Sequence, residues 1–282
     1  EAILRKLIEK APDLLAAREM YARTLMIKAG KATKAGKPQQ IAAAREQAYE
    51  QYQAALEIDP QSAGLQHSAG MLASMIGRPD DALEHFKKAA EIDPSNPQYP
   101  LFAAQMLIQS QNYDAARRSL QQVLDLDPDQ PQALASLAVV AMEQEDFESA
   151  IRHVKKARSL DTHDVNVRVI EAKVYRRSGQ PKRAIELLIG LDDKTQAGKA
   201  VTYELAESYT QLNRHAQAAD VWKNRFNTHR QSPDAWQTAG NVAESLIKAG
   251  QRQDAAAWIE QVQLLGGDPS EIERLRDLLA SN

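Results

Sequence analysis

The chain has 282 residues, a formal net charge of −3 and no cysteine, with a pI of about 6.1. Balanced charge argues against nucleic acid as the default partner. The absent thiols exclude disulfides and thiolate metal sites without assigning a compartment, and no apolar run approaches the ~20 residues that span a bilayer.

The chain opens on "EAILRKLIEKAP", residues 1–12. It starts without Met or a signal peptide and reads as the second helix of a preceding hairpin, so we expect a segment of a longer protein. Ile3, Leu4, Leu7 and Ile8 should line a face left by a missing partner helix, through which the chain could self-associate. A period then begins. "EIDPQS" ends a helix at 57–62, "EIDPSN" repeats it at 91–96 and "DLDPDQ" at 125–130, with a fainter "SLDTHD" at 159–164; each step is 34 residues. A fixed period of that size marks an array whose core extends from unit to unit.

The first full unit, 13–62, is much longer than 34 residues, and an excess of about 14 falls around "KAGKATKAGKPQQ", 28–40. Lys28, Lys31, Lys34 and Lys37 stand there with no acid among them. The stretch reads either as a basic loop that touches an acidic partner or surface, or as a solvated, mobile loop between helices. Five regular units follow at 63–96, 97–130, 131–164, 165–198 and 199–232. Stacked at the period they give an alanine column: Ala48, Ala82, Ala116, Ala150, Ala184 and Ala218. A second small column holds Gly70, Ala104, Ala138, Ala172, Ala206 and Gly240. A bulky one holds Tyr52, Phe86, Leu120, Val154, Leu188 and Trp222. A fourth holds Ala55, Ala89, Val123, Ala157, Leu191 and Arg225. Small residues recur where two helices approach closely, and large ones where the gap must be filled. The spacings of four and three put the second-half columns on one helix face.

The punctuation predicts helix, turn, helix, linker in every unit. Asp59–Pro60, Asp93–Pro94 and Asp127–Pro128 should stop the second helices. Ser62, Asn96, Gln130, Asp164, Gly198 and Ser232 occupy the cap slot of the next first helix. Gly77, Gly179 and Asn213 suit the left-handed residue that closes the first helix. The last unit, 233–268, carries three extra residues before Gly250, after which Ala255 regains the alanine column. Residues 269–282 then read as a capping helix, with Asp268 as cap, Glu271 completing a capping box and Ile272, Leu275, Leu278 and Leu279 as its apolar stripe.

These columns, best seen over 63–96 in Gly70, Ala82, Phe86, Ala89 and Pro94, resemble the tetratricopeptide repeat; Tyr175, Tyr209 and Trp236 fill further aromatic places of that consensus. The resemblance covers nearly the whole chain. It implies an all-α fold, a right-handed α-α superhelix of helical hairpins with a C-terminal capping helix, and a scaffold that binds peptides or proteins. It also implies that the first helices line a concave groove, into which three columns face. These are His67, Leu101, Ala135, Val169, Tyr203, Gln237; Met71, Gln105, Val139, Lys173, Glu207, Asn241; and Ser74, Ile108, Met142, Arg176, Thr210, Glu244.

All six methionines (20, 26, 71, 75, 106, 142) fall on first helices, and soft methionines tolerate varied partners. The expected groove is apolar along Met71, Met75, Leu101, Ile108, Val139, Met142 and Val169, and polar at Gln105, Lys173 and Arg176, though several first-helix residues, Met75 and Met106 especially, would serve equally as gap fillers between helices. Lys173, Arg176, Arg177, Lys182 and Arg183 form a basic cluster that would either hold an acidic peptide or carboxylate or be surface charge balanced by Glu171 and Glu186. The Lys and Asn pair that the family's chaperone-tail binders use is absent: the matching positions are His67/Met71, Leu101/Gln105, Ala135/Val139 and Val169/Lys173. The asparagine ladder of the O-linked N-acetylglucosamine transferase superhelix is absent too, with Asn166 and Asn241 standing alone.

No HExxH, GxSxG, P-loop or glycine-rich dinucleotide turn occurs, and His163 beside Asp164 lacks a third metal ligand nearby. The reading is therefore non-catalytic, without cofactor or metal: a scaffold for a protein or peptide ligand, with no nucleic acid and no direct membrane insertion. Two alternatives stay open, a docking or regulatory arm of an enzyme encoded elsewhere in a longer chain, and a cell-envelope assembly or export scaffold. The tryptophans at 222 and 236 belong to core columns, and Trp258 is expected to pack beneath the capping helix or stand exposed.

Overall fold

The computed structural model describes residues 1–191 and 197–281, and within them are 16 helices and no strand. The linker slots at 192–196 of the expected unit 165–198, and Asn282 of the expected capping helix, lie outside the described residues. The helices are α1 (Ala2–Lys10), α2 (Leu15–Lys34), α3 (Pro38–Ile58), α4 (Ala63–Met75), α5 (Pro79–Ile92), α6 (Gln98–Gln109), α7 (Tyr113–Leu126) and α8 (Pro131–Glu143), then α9 (Phe147–Leu160), α10 (Val165–Arg177), α11 (Pro181–Leu188), α12 (Gly198–Gln211), α13 (His215–Thr228), α14 (Ala235–Lys248), α15 (Arg252–Leu264) and α16 (Pro269–Ser281). Two compact units divide the chain, Glu1–Val140 and Ala141–Asn282, with the boundary inside α8.

In the first unit each helix from α1 to α6 packs on the next. The reason lies in the columns. Ala48, Ala82 and Ala116 are each 0% exposed, and so are Ala150, Ala184, Ala218 and Ala255 in the second unit. A methyl group is all the space that the crossing helices leave at this slot. Tyr52, Phe86 and Leu120 fill the wider gaps, as do Val154, Leu188 and Trp222.

The hairpin turns repeat one backbone device. A residue with positive φ closes each first helix: Gly36, Gly77, Gln111, Glu145, Gly179, Asn213 and Gly250. The next residue's N–H reaches back to a carbonyl five residues earlier, as in Arg78 to Ala73 at 2.9 Å, Asn112 to Leu107 at 2.8 Å and Gln180 to Tyr175 at 2.8 Å. This is a Schellman closure. Gly77, Gly179 and Asn213 were legible from sequence; Gln111 and Glu145 hold the same conformation without a glycine's freedom. The second helices stop as the Asp–Pro pairs dictate, at Ile58, Ile92 and Leu126, each followed by its Asp in an extended or near-extended conformation. Asp93, Asp127 and Asp161 then accept backbone N–H groups of the following turn, from Ser95 at 3.2 Å, Asp129 at 3.2 Å and His163 at 3.0 Å.

Four expectations need correction. The 14-residue excess at 28–40 is not a loop. α2 has 20 residues and α3 has 21, where α4 has 13 and α5 has 14, so seven extra residues lie in each helix. Seven residues are close to two α-helical turns, so the added segments keep the buried face in phase. Only residues 35–37 turn, and buried Ala29, Ala32 and Ala44 seal the extension. At the cap slots, Ser62 and Asp164 do cap α4 and α10. But Pro97, Ala197 and Asp234 take the position for α6, α12 and α14, with Asn96 accepting from Gln98 N–H at 3.0 Å. The second helix of the fifth full-length hairpin is short: α11 ends at Leu188, and Gly190 with positive φ turns the chain away, so Leu191 lies beyond it. Finally, α16 does cover α14 and α15, burying Ile272 and Leu275, but Glu271 makes no capping box. Arg274 takes its carboxylate at 2.8 Å instead.

Candidate functional site

In the first unit the first helices are α2, α4 and α6. Their inward stripes pack in the core: Ala17, Tyr21, Ala22 and Leu25 of α2 match Leu65, Ala69, Gly70 and Ala73 of α4 in both burial and order. That match fixes the register of the long first hairpin. Positions in α2 precede their α4 equivalents by 48 residues, one 34-residue period plus the 14 inserted. Ile27 is therefore the equivalent of Met75, and Met20 that of Ser68. Ile27 is 63% exposed, Met20 57% and Met75 43%. Met71 and Ile108 are half-buried, leaning on the core, and Gln105 and Val139 are also half-buried.

This arrangement revises the expected apolar groove. Leu101 is only 4% exposed and Met142 0%. Both are core side chains, and a ligand could reach neither without repacking the helices around it. Met142 fills a gap, and so does Met106, which the alternative reading named; Met75, named there too, is exposed instead. Met20 and Ile27 do stand open and were missed, because the insertion hid the register of α2; the burial pattern of α2 against α4 is what reveals it.

His67 does not face outward as a polar group. Its ring lies 5.3 Å from Phe102, 5.6 Å from Tyr99 and 6.0 Å from Phe86, centroid to centroid. This aromatic cluster joins α4, α5 and α6, and burial among apolar rings pushes the His67 pKa down. Neighbouring His85 is held by Gln66 at 2.7 Å and Tyr49 at 3.2 Å, and burial lowers it as well. A separate cleft of about 570 Å³ opens between α5, α6 and α7, with Lys87, Glu91, Leu107 and Arg118 among its walls. No methionine lines it.

In the second unit Lys173, Arg176 and Arg177 of the basic cluster are paired, with partners other than those expected, while Lys182 and Arg183 stand exposed on α11. Arg177 pairs with Glu143 at 2.7 Å, and Lys173 approaches the same carboxylate at 3.7 Å. Arg176 binds Glu204 at 2.7 Å, with the two side chains only 18% and 6% exposed. Glu171, expected to balance the cluster, is buried and pairs instead with Arg158 at 2.8 Å; burial raises its pKa, with Arg158 pulling the other way. These pairs tie α10 to α8, α9 and α12. Removing one partner would strand a buried charge, so they serve the fold before any ligand. Val169 leans on the core, and exposed Tyr203 stands on α12.

Trp222 is buried, Trp236 leans on the same core, and Trp258 packs edge-on to Phe226 with centroids 4.9 Å apart. In the first unit, α1 splits the expected open face: Leu4 and Ile8 pack on the core, while Ile3 and Leu7 stay exposed. His163 is exposed in its turn, and among the described residues no three His, Asp or Glu side chains gather to hold a metal. Nor is any described helix long and apolar enough to cross a membrane.

Comparison with known proteins bears on this geometry. Residues 56–155 match the family described as the cytochrome c-type biogenesis protein H TPR domain, and residues 143–225 match anaphase-promoting complex, cyclosome, subunit 3. Against curated proteins the chain has no match in sequence. Among solved structures, a tetratricopeptide repeat protein from Parabacteroides merdae is similar at 15% identity and a TM-score of 0.63, over 93% of this chain and 99% of that one. Yeast Tom70 is similar at 18% identity and 0.64, over 99% of this chain and 57% of its own. A thermophilic TPR protein of Thermus thermophilus is similar at 17% identity and 0.55, over 64% of this chain and 99% of its own. At such identities the likeness is one of fold.

Proposed function

This chain is a tetratricopeptide-repeat protein, and from that premise we propose that it is a binding scaffold whose first-helix face in the first unit takes an apolar or amphipathic segment of another protein. The observation that carries the reading is the exposure of Met20, Ile27 and Met75 on α2 and α4. Large apolar side chains left in water on adjacent elements mark contact surfaces, and methionine suits a surface that adapts to its partner. Met71 and Ile108 supply a half-buried floor beside them. The side chains act by contact alone, without chemistry. Of the residues expected to bind, Met71, Met75, Gln105, Ile108 and Val139 stay in this proposal. Leu101 and Met142 leave it, and Lys173 and Arg176 become structural ion pairs.

A photo-crosslinking amino acid at position 75 tests this. It should trap a partner protein that the same group at Gln122, exposed on α7, does not trap, and Met20→Glu should abolish the trapped species. Equal capture from both positions, or capture that survives Met20→Glu, would sink the idea.

The match over residues 56–155 supports a narrower second reading, in which the bound protein takes part in c-type cytochrome biogenesis. A purified apocytochrome c offered to the same crosslinking variant decides it. A role as the docking arm of an enzyme, or as an envelope assembly scaffold, would use this same face.

A further inference from the structure

We propose that the overhanging tip of the first hairpin is a docking prong for an acidic protein segment, whose apolar residues seat on Met20 and Ile27 and whose carboxylates continue along Lys31, Lys34 and Lys37. This deepens the first-helix reading above and rests on it for the apolar half only.

Three observations converge. First, the basic stretch is helix, not loop. Lys31 and Lys34 stand on the last turns of α2 and Lys37 closes the turn, held by its N–H to Ala32 at 3.0 Å. Buried Ala29, Ala32 and Ala44 pack the two arms together. The ammonium groups are therefore carried on ordered backbone, which lowers the ordering cost of binding. Second, Met20, Ile27, Lys31 and Lys34 form one stripe, since residues 20, 27, 31 and 34 share a helix face; all four are exposed. The stripe is apolar where α2 lies against the stack and cationic where it runs past. Third, the charge is uncompensated. Between Glu19 and Glu46 the sequence has no acid. Lys28 is occupied by Glu1 at 3.1 Å, but Lys31, Lys34 and Lys37 have no ion pair among the described residues. Arg176 and Arg177 of α10, by contrast, are paired.

The chemistry favours a protein segment. Lys31 and Lys34 are about 5 Å apart along the helix axis, with Lys37 in the turn beyond; three cations fall short of the six to ten phosphate contacts of a strongly salt-dependent nucleic-acid binder. A membrane surface would meet only Met20 and Ile27, too little apolar area to anchor a helix.

Three synthetic peptides test this. They share one amphipathic, leucine-rich half and end in a run of glutamates, serines or lysines; binding is read by fluorescence anisotropy. At low salt the glutamate peptide should bind about tenfold more tightly than the serine peptide, the yield of three exposed charge pairs. That advantage should vanish at high salt and in the Lys31→Glu/Lys34→Glu/Lys37→Glu variant. The milder Lys31→Gln/Lys34→Gln/Lys37→Gln set guards against helix damage, with circular dichroism as control. The proposal fails if the glutamate peptide does not bind, if it shows no preference over serine, or if the triple variants keep that preference. It fails too if phosphatidylserine vesicles bind through these lysines while the glutamate peptide does not. The apolar reading fails separately: a serine peptide that does not bind, or binds unchanged to Met20→Ser/Ile27→Ser, removes the apolar half and leaves the prong standing.

Discussion

Gly70 stands where a β-carbon would come within 2.8 Å of Phe86 Cε1 and 3.0 Å of Cδ1. That ring is 1% exposed and cannot swing aside. The period shows the same fit elsewhere: Ala104 shares its unit with Leu120, Ala138 with Val154 and Ala172 with Leu188. The largest ring in these four units accompanies the smallest residue; in a later unit Trp222 accompanies Ala206 but keeps 8% exposure. Gly70→Ala should therefore destabilise the first unit. Overpacking costs about 1–3 kcal/mol, and the helix propensity gained by Ala returns up to about 1 kcal/mol, so a net loss of about 1–2 kcal/mol is expected in urea unfolding. In a Phe86→Leu background the same change should be neutral or stabilising; an equal penalty there would mean that the ring is not the cause.

At the scale of the element, the hairpin turn is the informative unit. Gly77, Gln111, Glu145, Gly179 and Asn213 follow one another at 34 residues, and all have positive φ. The left-handed conformation costs a residue with a β-carbon about 1–2 kcal/mol, so Gln111 and Glu145 hold strain that the array tolerates. Gln111→Gly and Glu145→Gly should each stabilise by about 1 kcal/mol, the added unfolded-state entropy of glycine trimming the gain. Gly179→Ala should cost a similar amount. Thermal unfolding checks all three, and a loss of stability in both glycine variants would refute the strain. The long first hairpin shows the other rule of the element: a helix pair can grow by two turns in each arm and keep its seam, because the buried face returns to phase.

At the scale of the molecule, the two units should respond differently to acid. His67 and His85 both belong to the first unit, and both have pKa values lowered by burial from the usual 6.5. In the unfolded chain they take up protons at a higher pH than in the folded one. The unfolded state thus binds more protons as pH falls below about 6.5, and stability falls with it until the folded-state values are passed. The second unit's resolved shifts lie on carboxylates and two arginines; among them Asp234 is held down to about 2, first by Lys199 and Ser232. Its support from Asp234 is complete at pH 5.5 and above, and is lost as pH falls from about 4 towards about 2. Hydrogen-exchange protection factors at pH 7.5 and pH 5.5 should show the first unit weakening while the second holds, and His67→Leu should reduce the difference. Uniform weakening of both units would count against this account.

Much of the fold was legible because repetition amplifies weak signals. One buried alanine says little, but Ala48, Ala82, Ala116, Ala150, Ala184 and Ala218 in step leave little besides helical hairpins. The Asp–Pro stops and the capping helix could be read in the same way, since each is a local steric rule. The binding face was half legible. Met71 could be named from its column and Met75 from its place among the first-helix methionines, whereas Leu101 and Met142 were misplaced, because helical spacing fixes the direction of a side chain and not how near the next helix lies. The cationic stretch was misread for a related reason. Lysine, glycine and alanine carry a loop's composition, and only the packing of Ala29 and Ala32 against α3 supplied the contacts that make it helix. The sequence by itself determined the hairpins and their alanine seams, which depend on residue size and chirality. Tertiary structure alone decided which apolar groups stayed in water and which charges found partners, because both depend on distances between chain segments far apart in sequence.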